Sequence, residues 1–289
     1  MTRTGYLGPP GTFSEAALRA SAARVGVSPS DTVPLPTIRE VVLAVAGGQV
    51  ERAIVPLENS LEGSVNEAID TLVHSAPGVV IVGETVLPVR YALITRPGAD
   101  VDQVRTVLSH PQALAQCAGF LRDALPNATP KAATSTAEAV RTAVAASEPT
   151  VALGTQLAAS LYGGQIVKDD LGDDDSNTTR FVWLARAEDA PATGDSPGGK
   201  SAVVFSGDGD GTPGWLMRCL DEFARRDVNL SRIESRPAKR RLGHYVFLVE
   251  VEGRADAGGP ASDAVQALRG HCEDVRVLGA YPAAPPSGG

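Results

Sequence analysis

Short apolar runs alternate with helical patterns along the first 165 residues of the chain. Runs such as Ala53–Val55 and Val151–Leu153 are typical of buried strands, because they are short and lie between turn residues or helical segments. Apolar residues between the runs recur at the three-to-four-residue spacing of amphipathic helices. The predicted strands are 5–7, 32–35, 53–55, 79–82, 86–94, 106–108, 151–153, 165–168 and 181–184. The alternation predicts an α/β fold with mostly parallel sheets.

Three helix starts carry the capping box, a Ser or Thr followed three residues later by Glu. These are Thr12 with Glu15, Thr37 with Glu40, and Ser135 with Glu138. The predicted helices are 12–24, 37–46, 112–125 and 135–146. The order of elements in the first hundred residues recurs after residue 105, which predicts two similar lobes, about 1–88 with 165–187, and 89–164. Two crossings between lobes predict a cleft, the usual ligand site of such folds.

Composition narrows the classes of function. The 289 residues suffice for about two domains, and the net charge of −8 argues against nucleic-acid binding. Cys117, Cys219 and Cys272 lack metal-ligand spacing, which favours reduced thiols in the cytoplasm and no metal site. Because no long apolar run occurs, we expect neither an export signal nor a membrane span.

Polar residues follow the predicted strand ends in segments 8–14, 58–64 and 109–112. Helix N-termini bind carboxylates through free N–H groups, and Arg180 offers a planar fork of donors for the same purpose. Caps, turns and an acidic surface loop at 169–175 explain the same residues without function. No dinucleotide or phosphate-loop motif occurs, so no cofactor is predicted. The residues alone predict a two-lobed binder of a small anion, with or without catalysis.

Four motifs are spread over about residues 4–185. They are Gly8-Pro-Pro-Gly-Thr-Phe-Ser14, Glu58-Asn-Ser60 with Gly63 and Val65, Ser109-His-Pro-Gln-Ala-Leu-Ala-Gln-Cys117, and Asn177-Thr-Thr-Arg-Phe181. Taken together, they resemble the motif set of prephenate dehydratases. The resemblance implies a two-lobed, periplasmic-binding-protein-like catalytic domain without a cofactor. It also implies conversion of prephenate to phenylpyruvate with loss of water and carbon dioxide.

The resemblance assigns roles to individual residues. It implies that Thr179 donates a proton to the leaving oxygen and that Arg180 orients the substrate's charge. The residues expected to bind substrate are Thr12, Phe13, Ser14, Glu58, Asn59, Ser60, Ser109, His110, Gln112, Asn177 and Phe181. A Thr hydroxyl is a weak acid in water, so its contribution should depend on a dry cleft.

The expected catalytic domain comprises residues 1–187. A linker of about residues 188–199 follows it, and then a small domain of about residues 200–285. Predicted elements of the small domain follow the order β-α-β-β-α-β, which is ferredoxin-like, and residues 282–289 should be frayed. The domain resembles an ACT regulatory domain that senses phenylalanine. The expected effector residues are Gly214, Trp215, Leu216, Glu234, Ser235, Arg236 and Pro237. Trp215 replaces a usual Ala, so it either contacts the effector or packs in the core.

The family resemblance further implies a homodimer or homotetramer, with prephenate and phenylalanine as small-molecule partners. Two alternatives remain open at this point. One is an arogenate dehydratase, which performs the same chemistry on an aminated substrate. The other is a non-catalytic receptor that uses the cleft for a solute.

Overall fold

The computed structural model describes residues 3–191 and 199–284 and has a mixed α/β fold. Its strands are β1 (Thr4–Leu7), β2 (Thr32–Leu35), β3 (Arg52–Asn59), β4 (Gly63–Ser64), β5 (Val79–Pro88), β6 (Tyr91–Thr95), β7 (Thr106–Ser109), β8 (Thr129–Ala132), β9 (Thr150–Gly154), β10 (Gln165–Leu171), β11 (Thr178–Arg186), β12 (Gly199–Ser206), β13 (Leu230–Pro237), β14 (Tyr245–Glu252) and β15 (Asp274–Pro282). Its α-helices are α1 (Phe13–Ser21), α2 (Ile38–Ala46), α3 (Asn66–His74), α4 (Pro111–Gln116), α5 (Ala118–Ala124), α6 (Thr136–Ala145), α7 (Gln156–Tyr162), α8 (Trp215–Ala224) and α9 (Pro260–Leu268).

The first sheet has the strand order β2-β1-β3-β11-β5, and β4 pairs with β3. Strands β1 and β2 are parallel, whereas the short β4 runs antiparallel to β3. The apolar run Phe181–Ala185 of β11 is fully buried, as its sequence predicts. This burial holds the polar beginning of β11, at Thr178, beside the end of β3.

The second sheet corrects two expectations. Its order is β10-β6-β9-β7-β8, and it mixes parallel pairs of β7 with antiparallel pairs of β6. The prediction of a mostly parallel sheet is therefore wrong here. The strand predicted at 165–168 pairs with β6 in this sheet and does not return to the first. The single strand predicted at 86–94 is two strands, because Pro88 ends β5 and has no N–H with which to continue a ladder.

Local signals located the helix starts correctly. The Thr12, Thr37 and Ser135 hydroxyls each accept a hydrogen bond from the backbone N–H three residues later. The predicted helix at 112–125 is broken at Cys117 into α4 and α5. The carboxylate of Asp173 explains the restart, because it accepts from the N–H groups of Gly119 and Phe120 in the first turn of α5.

Six elements after residue 198 follow in the predicted order β12, α8, β13, β14, α9, β15. Their sheet has the order β13-β14-β12-β15 and is antiparallel throughout. Both helices cover one face of it over a core that includes Phe205, Phe223 and Val249. Residues 192–198 of the predicted linker, and 285–289 at the predicted frayed end, lie outside the described residues.

Contacts divide the chain into two compact units. One contains residues 1–41, 54–65 and 86–181, and the other contains residues 42–53, 66–85 and 182–289. Within the described residues, no helix is long and apolar enough to span a membrane.

The turn before α1 is held against α7. Tyr162 donates its phenolic hydrogen to the Pro10 carbonyl over 2.7 Å, and Thr155 donates to the Gly11 carbonyl over 2.6 Å. Gly11 has a positive φ of 90°, and a Cβ there would lie 3.0 Å from both Cα and Cβ of Ala158. The turn therefore requires glycine for its conformation and for its close contact.

Gly11→Ala should lower the free energy of unfolding by about 1 kcal/mol for the left-handed backbone and by roughly 1–3 kcal/mol more for overpacking against Ala158. Gly26→Ala is the matched control, because Gly26 also has a positive φ but has no atom within 4 Å of its missing Cβ. Urea unfolding of both variants measures the difference. Equal losses would contradict the contact with α7.

Candidate functional site

The side-chain amide of Asn59 lies where β3 and β11 end side by side. Its Nδ2 lies 2.9 Å from Oδ1 of Asn177, 3.0 Å from the carbonyl oxygen of Thr178 and 2.9 Å from Oγ1 of Thr179. Its Oδ1 accepts from the backbone N–H groups of Leu61 and Glu62, at 3.0 and 2.9 Å. Donors on one side and acceptors on the other fix the orientation of this amide.

This orientation fixes the role of the Thr179 hydroxyl. Because Nδ2 of Asn59 is a donor, Oγ1 of Thr179 accepts in that bond. A hydroxyl has one hydrogen of its own to donate, so that of Thr179 remains available for a ligand. The Asn59 amide would also stabilise negative charge on Oγ1 if the hydrogen left.

A second layer of hydrogen bonds holds Asn177. Its Nδ2 donates to Oε1 of Gln116 over 2.9 Å, and the same oxygen accepts from the Tyr91 hydroxyl over 2.8 Å. Burial raises the pKa of the Tyr91 phenol, so the hydroxyl stays protonated as a donor. The chain of bonds from Tyr91 to Thr179 thus has a defined direction at each step.

A cavity of about 270 Å³ opens beside Thr179. Thr179 and Phe181 reach it from the same face of β11, as the alternation of side chains along a strand requires. Phe13 and Tyr91 form an edge-to-face ring pair in its wall, with centroids 5.5 Å apart. The other lining residues are Ser14, Pro56, Asn59, Glu62, Gly63, Ser64, Val65, Val89, Gln112 and Gln116. A hydroxyl donor therefore faces a space whose wall combines three aromatic rings with several polar side chains.

A larger cavity of about 630 Å³ shares four lining residues with the first, Phe13, Ser14, Tyr91 and Gln112. It also contacts Thr12 and His110, the N-caps of α1 and α4. The first-turn N–H groups of α1 have no partner within the helix, and the positive end of its dipole lies there. Of the described residues, no Lys or Arg lines either cavity.

Arg180 differs from the expected arrangement. Its Nη2 lies 3.1 Å from Oε2 of Glu58 in an ion pair, and neither residue lines the two cavities. The physical reason is strand alternation, because Arg180 and Glu58 are the immediate neighbours of Thr179 and Asn59 and point to the opposite face. The ion pair thus ties β3 to β11 behind the Asn59–Thr179 pair.

Two predicted serines have structural partners. The hydroxyl of Ser60 donates to the Ser176 carbonyl and accepts from the Thr178 N–H, both over 3.0 Å. Ser109 is fully buried and donates to the Leu153 carbonyl over 2.8 Å. The structure therefore brings Ser60 to the end of β11 but does not bring Ser109 to either cavity.

The expected substrate-binding residues did not include Tyr91, Gln116 and Glu62, whose polar side chains line the smaller cavity. Gln116 follows Gln112 by four residues in α4, and this spacing places both on one face of the helix. That signal could have identified Gln116. Tyr91 carried no such signal, because an aromatic residue in an apolar strand is usually core.

The acidic stretch at 169–175 has a local structural role, since Asp174 accepts from the N–H and hydroxyl of Ser176 just before Asn177.

The expected effector residues lie on α8 and β13. Trp215 is buried with its ring beside Phe205 and Phe247, and its Nε1 donates to the His271 carbonyl over 2.7 Å. This places Trp215 in the core that α8 and α9 form with the sheet of strands β12–β15 (the tail sheet). Gly214 is the N-cap of α8 with a φ of 77°, and Leu216 packs against the same core.

Within the described residues, no group of three or more His, Cys, Asp or Glu side chains could hold a metal ion.

Comparison with known proteins identifies the family. Residues 4–189 match the family model described as prephenate dehydratase. The prephenate dehydratase of Mycobacteroides abscessus is 39% identical over 285 residues, covering 98% of this chain and 90% of that protein. The crystal structure of an Arthrobacter aurescens prephenate dehydratase in complex with L-Phe superposes with a TM-score of 0.85 at 32% identity, covering 97% of this chain and 90% of that one. A structure described as GqqA, a novel type of quorum quenching acylase, superposes with a TM-score of 0.83 at 33% identity and covers 98% of both chains.

These similarities define the class of enzyme as a carbon–oxygen lyase that removes water. The chain belongs to the prephenate dehydratase family.

Gln116→Leu should destabilise the protein more than Tyr91→Phe, by about 2 kcal/mol. The leucine removes the acceptor of two buried donors, and each unpaired buried group costs roughly 1–3 kcal/mol. Tyr91→Phe removes one donor and leaves Gln116 paired with Asn177. Thermal and urea unfolding measure both variants, and equal losses would show that Gln116 does not join the two groups.

Proposed function

We propose that this chain converts prephenate to phenylpyruvate, with Thr179 as the proton donor. The observation that carries the proposal is the hydrogen bond from Asn59 to Oγ1 of Thr179, which leaves the hydroxyl hydrogen available at the cavity. The similarity of nearly the whole chain to a prephenate dehydratase supports the same substrate.

The reaction needs one proton and no external base. The ring carboxylate leaves as carbon dioxide, its bonding electrons form the new ring double bond, and the opposite C–O bond breaks. The Thr179 hydrogen passes to the departing oxygen, which leaves as water. Asn59 stabilises the oxygen that loses this hydrogen, and a proton from solvent restores the hydroxyl after product release. Such oriented donation contributes about two to four powers of ten in rate.

Neutral donors supply the anion binding in this proposal. Phe13 and Ser14 at the start of α1 line both cavities, so their N–H groups and the Ser14 hydroxyl suit a substrate carboxylate. Phe13, Tyr91 and Phe181 enclose the substrate ring and exclude water, which strengthens donation from a weak acid. Arg180 acts as a positioning residue, because its pair with Glu58 fixes the two strand ends that carry Asn59 and Thr179.

Other assignments belong to the same proposal. Residues 1–187 form the catalytic domain, 188–199 the linker and 200–285 an ACT domain with the ferredoxin-like order seen in β12–β15. The L-Phe complex of the Arthrobacter aurescens protein supports phenylalanine as effector. A homodimer or homotetramer, and a cytoplasmic location suited to amino-acid biosynthesis, complete the proposal.

Two other activities are tested alongside. Arogenate differs from prephenate by an amine in place of the keto oxygen, so the Thr179 chemistry would serve it equally. The similarity to GqqA suggests acyl transfer. That chemistry requires an activated nucleophile. Among the described residues that line the smaller cavity with Thr179, the titratable side chains are Tyr91 and Glu62, and Glu62 accepts a hydrogen bond from Gln116.

Purified protein supplied with prephenate should release phenylpyruvate, and added phenylalanine should change the rate. Arogenate and an N-acylated homoserine lactone, supplied separately, test the alternatives. Faster turnover of arogenate would transfer the proposal to that substrate. Acyl release without any phenylpyruvate would overturn it.

Thr179→Val should lower kcat by about a hundredfold to ten-thousandfold, because it keeps the shape of the side chain but has no hydrogen to donate. KM should change far less. Thr178→Val is the matched control, since Thr178 is the preceding residue of β11, points to the opposite face and does not line the cavity. A comparable loss in both variants would assign the effect to the strand rather than to the hydroxyl.

A further inference from the structure

The Glu234–Pro237 motif presents two faces. Along β13, Ser235 lies opposite Phe247, which packs in the helix-covered core, whereas Arg236 lies opposite Val246 on the other face. Glu234 shares the face of Arg236, and its carboxylate accepts from Arg232 over 2.8 Å. The charged half of the motif therefore points away from α8 and its Gly214–Leu216 segment.

Arg236 contacts α3 through two side chains. Its Nε donates to Oδ1 of Asp70 and its Nη1 donates to Oδ1 of Asn66, both over 2.8 Å. Lys239 adds a second cation 3.1 Å from the same Asp70 carboxylate. Arg236 and Asp70 are both largely shielded from solvent, with side chains 18% and 21% exposed, so this pair is stronger than a fully solvated one.

The Asp70 carboxylate is held in its charged form. Burial alone would raise its pKa, but hydrogen bonds from Arg236 and Lys239 outweigh burial and leave the pKa below its usual value. The pair is therefore an ion pair at neutral pH.

The opposite end of α3 is held by the same sheet. Arg276, on β15, donates from Nη2 to the carbonyls of Leu72 and Val73, over 3.2 and 2.7 Å. These carbonyls belong to the last turn of the helix, where a cation is favourable. Residues 66–85 lie in one compact unit with residues 182–289. Because both ends of α3 contact the tail sheet, the helix should move with that sheet.

The residues immediately before α3 form part of the smaller cavity, which Thr179 also lines. Glu62, Gly63, Ser64 and Val65 line it, and Asn66 follows directly as the first residue of the helix. The N–H of Glu62 also donates to Oδ1 of Asn59, the residue that orients Thr179. Residues 62–66 thus connect α3 through the backbone to the hydrogen bonds that orient Thr179.

We propose that the Arg236–Asp70 ion pair couples the effector site to catalysis, and that Arg236 acts as a transmitting residue rather than an effector ligand. The inference rests on the proposed regulation by phenylalanine. Effector binding at the α8 side of the sheet shifts β13, Arg236 carries the shift to α3, and the cavity wall at 62–65 changes its distance from Thr179.

Asp70→Asn tests the coupling. Without phenylalanine, the variant should turn over within about twofold of the unmodified protein. Its affinity for phenylalanine should also stay within about fivefold. The effect of saturating phenylalanine on turnover should fall at least about fivefold, which is the lower end of typical allosteric coupling. Turnover is followed as phenylpyruvate release and binding by equilibrium dialysis with labelled phenylalanine. Glu67→Gln is the control, because it removes one negative charge from an exposed position of the same helix and should keep the full effect.

Hydrogen exchange separates this coupling from the proposed reaction, because it needs no turnover. Phenylalanine should change the exchange of peptide 63–74 in the unmodified protein and leave it unchanged in Asp70→Asn. A full phenylalanine effect in Asp70→Asn would overturn the coupling, and lost phenylalanine binding would make Arg236 part of the effector site. A protein that shows the exchange change but no prephenate turnover would overturn the proposed reaction alone.

Discussion

One neutral amide sets the geometry on which the site depends. Asn59 bonds to three oxygens of residues 177–179 with its nitrogen and to two N–H groups of the following turn with its oxygen. An aspartate could not donate to Thr179, and a hydrophobic residue would leave buried groups unpaired. The same contacts that join β3 to β11 therefore also define which way the Thr179 hydroxyl is polarised.

Strand alternation places the two members of each neighbouring pair, Glu58–Asn59 and Thr179–Arg180, on opposite faces of the sheet. Asn59 and Thr179 face the cavity, while Glu58 and Arg180 pair on the reverse face. The charged pair is thus kept away from the hydroxyl. In the proposed reaction the guanidinium of Arg180 acts from behind the strand, where its pair with Glu58 holds the two strand ends together.

The sequence predicted those features that local patterns determine. Capping boxes located three helix starts because the bond is made within four residues, and the apolar run of β11 predicted its burial. The motif resemblance implied that Asn59 and Thr179 lie in one pocket, and their side chains are 2.9 Å apart. Non-local pairing could not be predicted, so β10 was placed in the wrong sheet, and the break at Cys117 depends on Asp173, more than fifty residues away. The two-residue period of β11 predicts that Arg180 points away from the face of Thr179. The motif resemblance implied instead that Arg180 orients the substrate's charge.

No Lys or Arg lines the described walls of either cavity, so no cationic side chain there attracts a substrate with two negative charges. The chain carries a net charge of −8, so long-range attraction does not favour an anionic substrate. In the proposed reaction, selection comes from short-range dipoles, namely those at the start of α1 and of the hydroxyls near it, which act only once water is displaced. A weak acid such as Thr179 has the same requirement. In the proposed reaction, substrate binding and proton donation therefore both depend on how closely the cavity wall packs around the substrate. Residues 62–65 of that wall continue into α3.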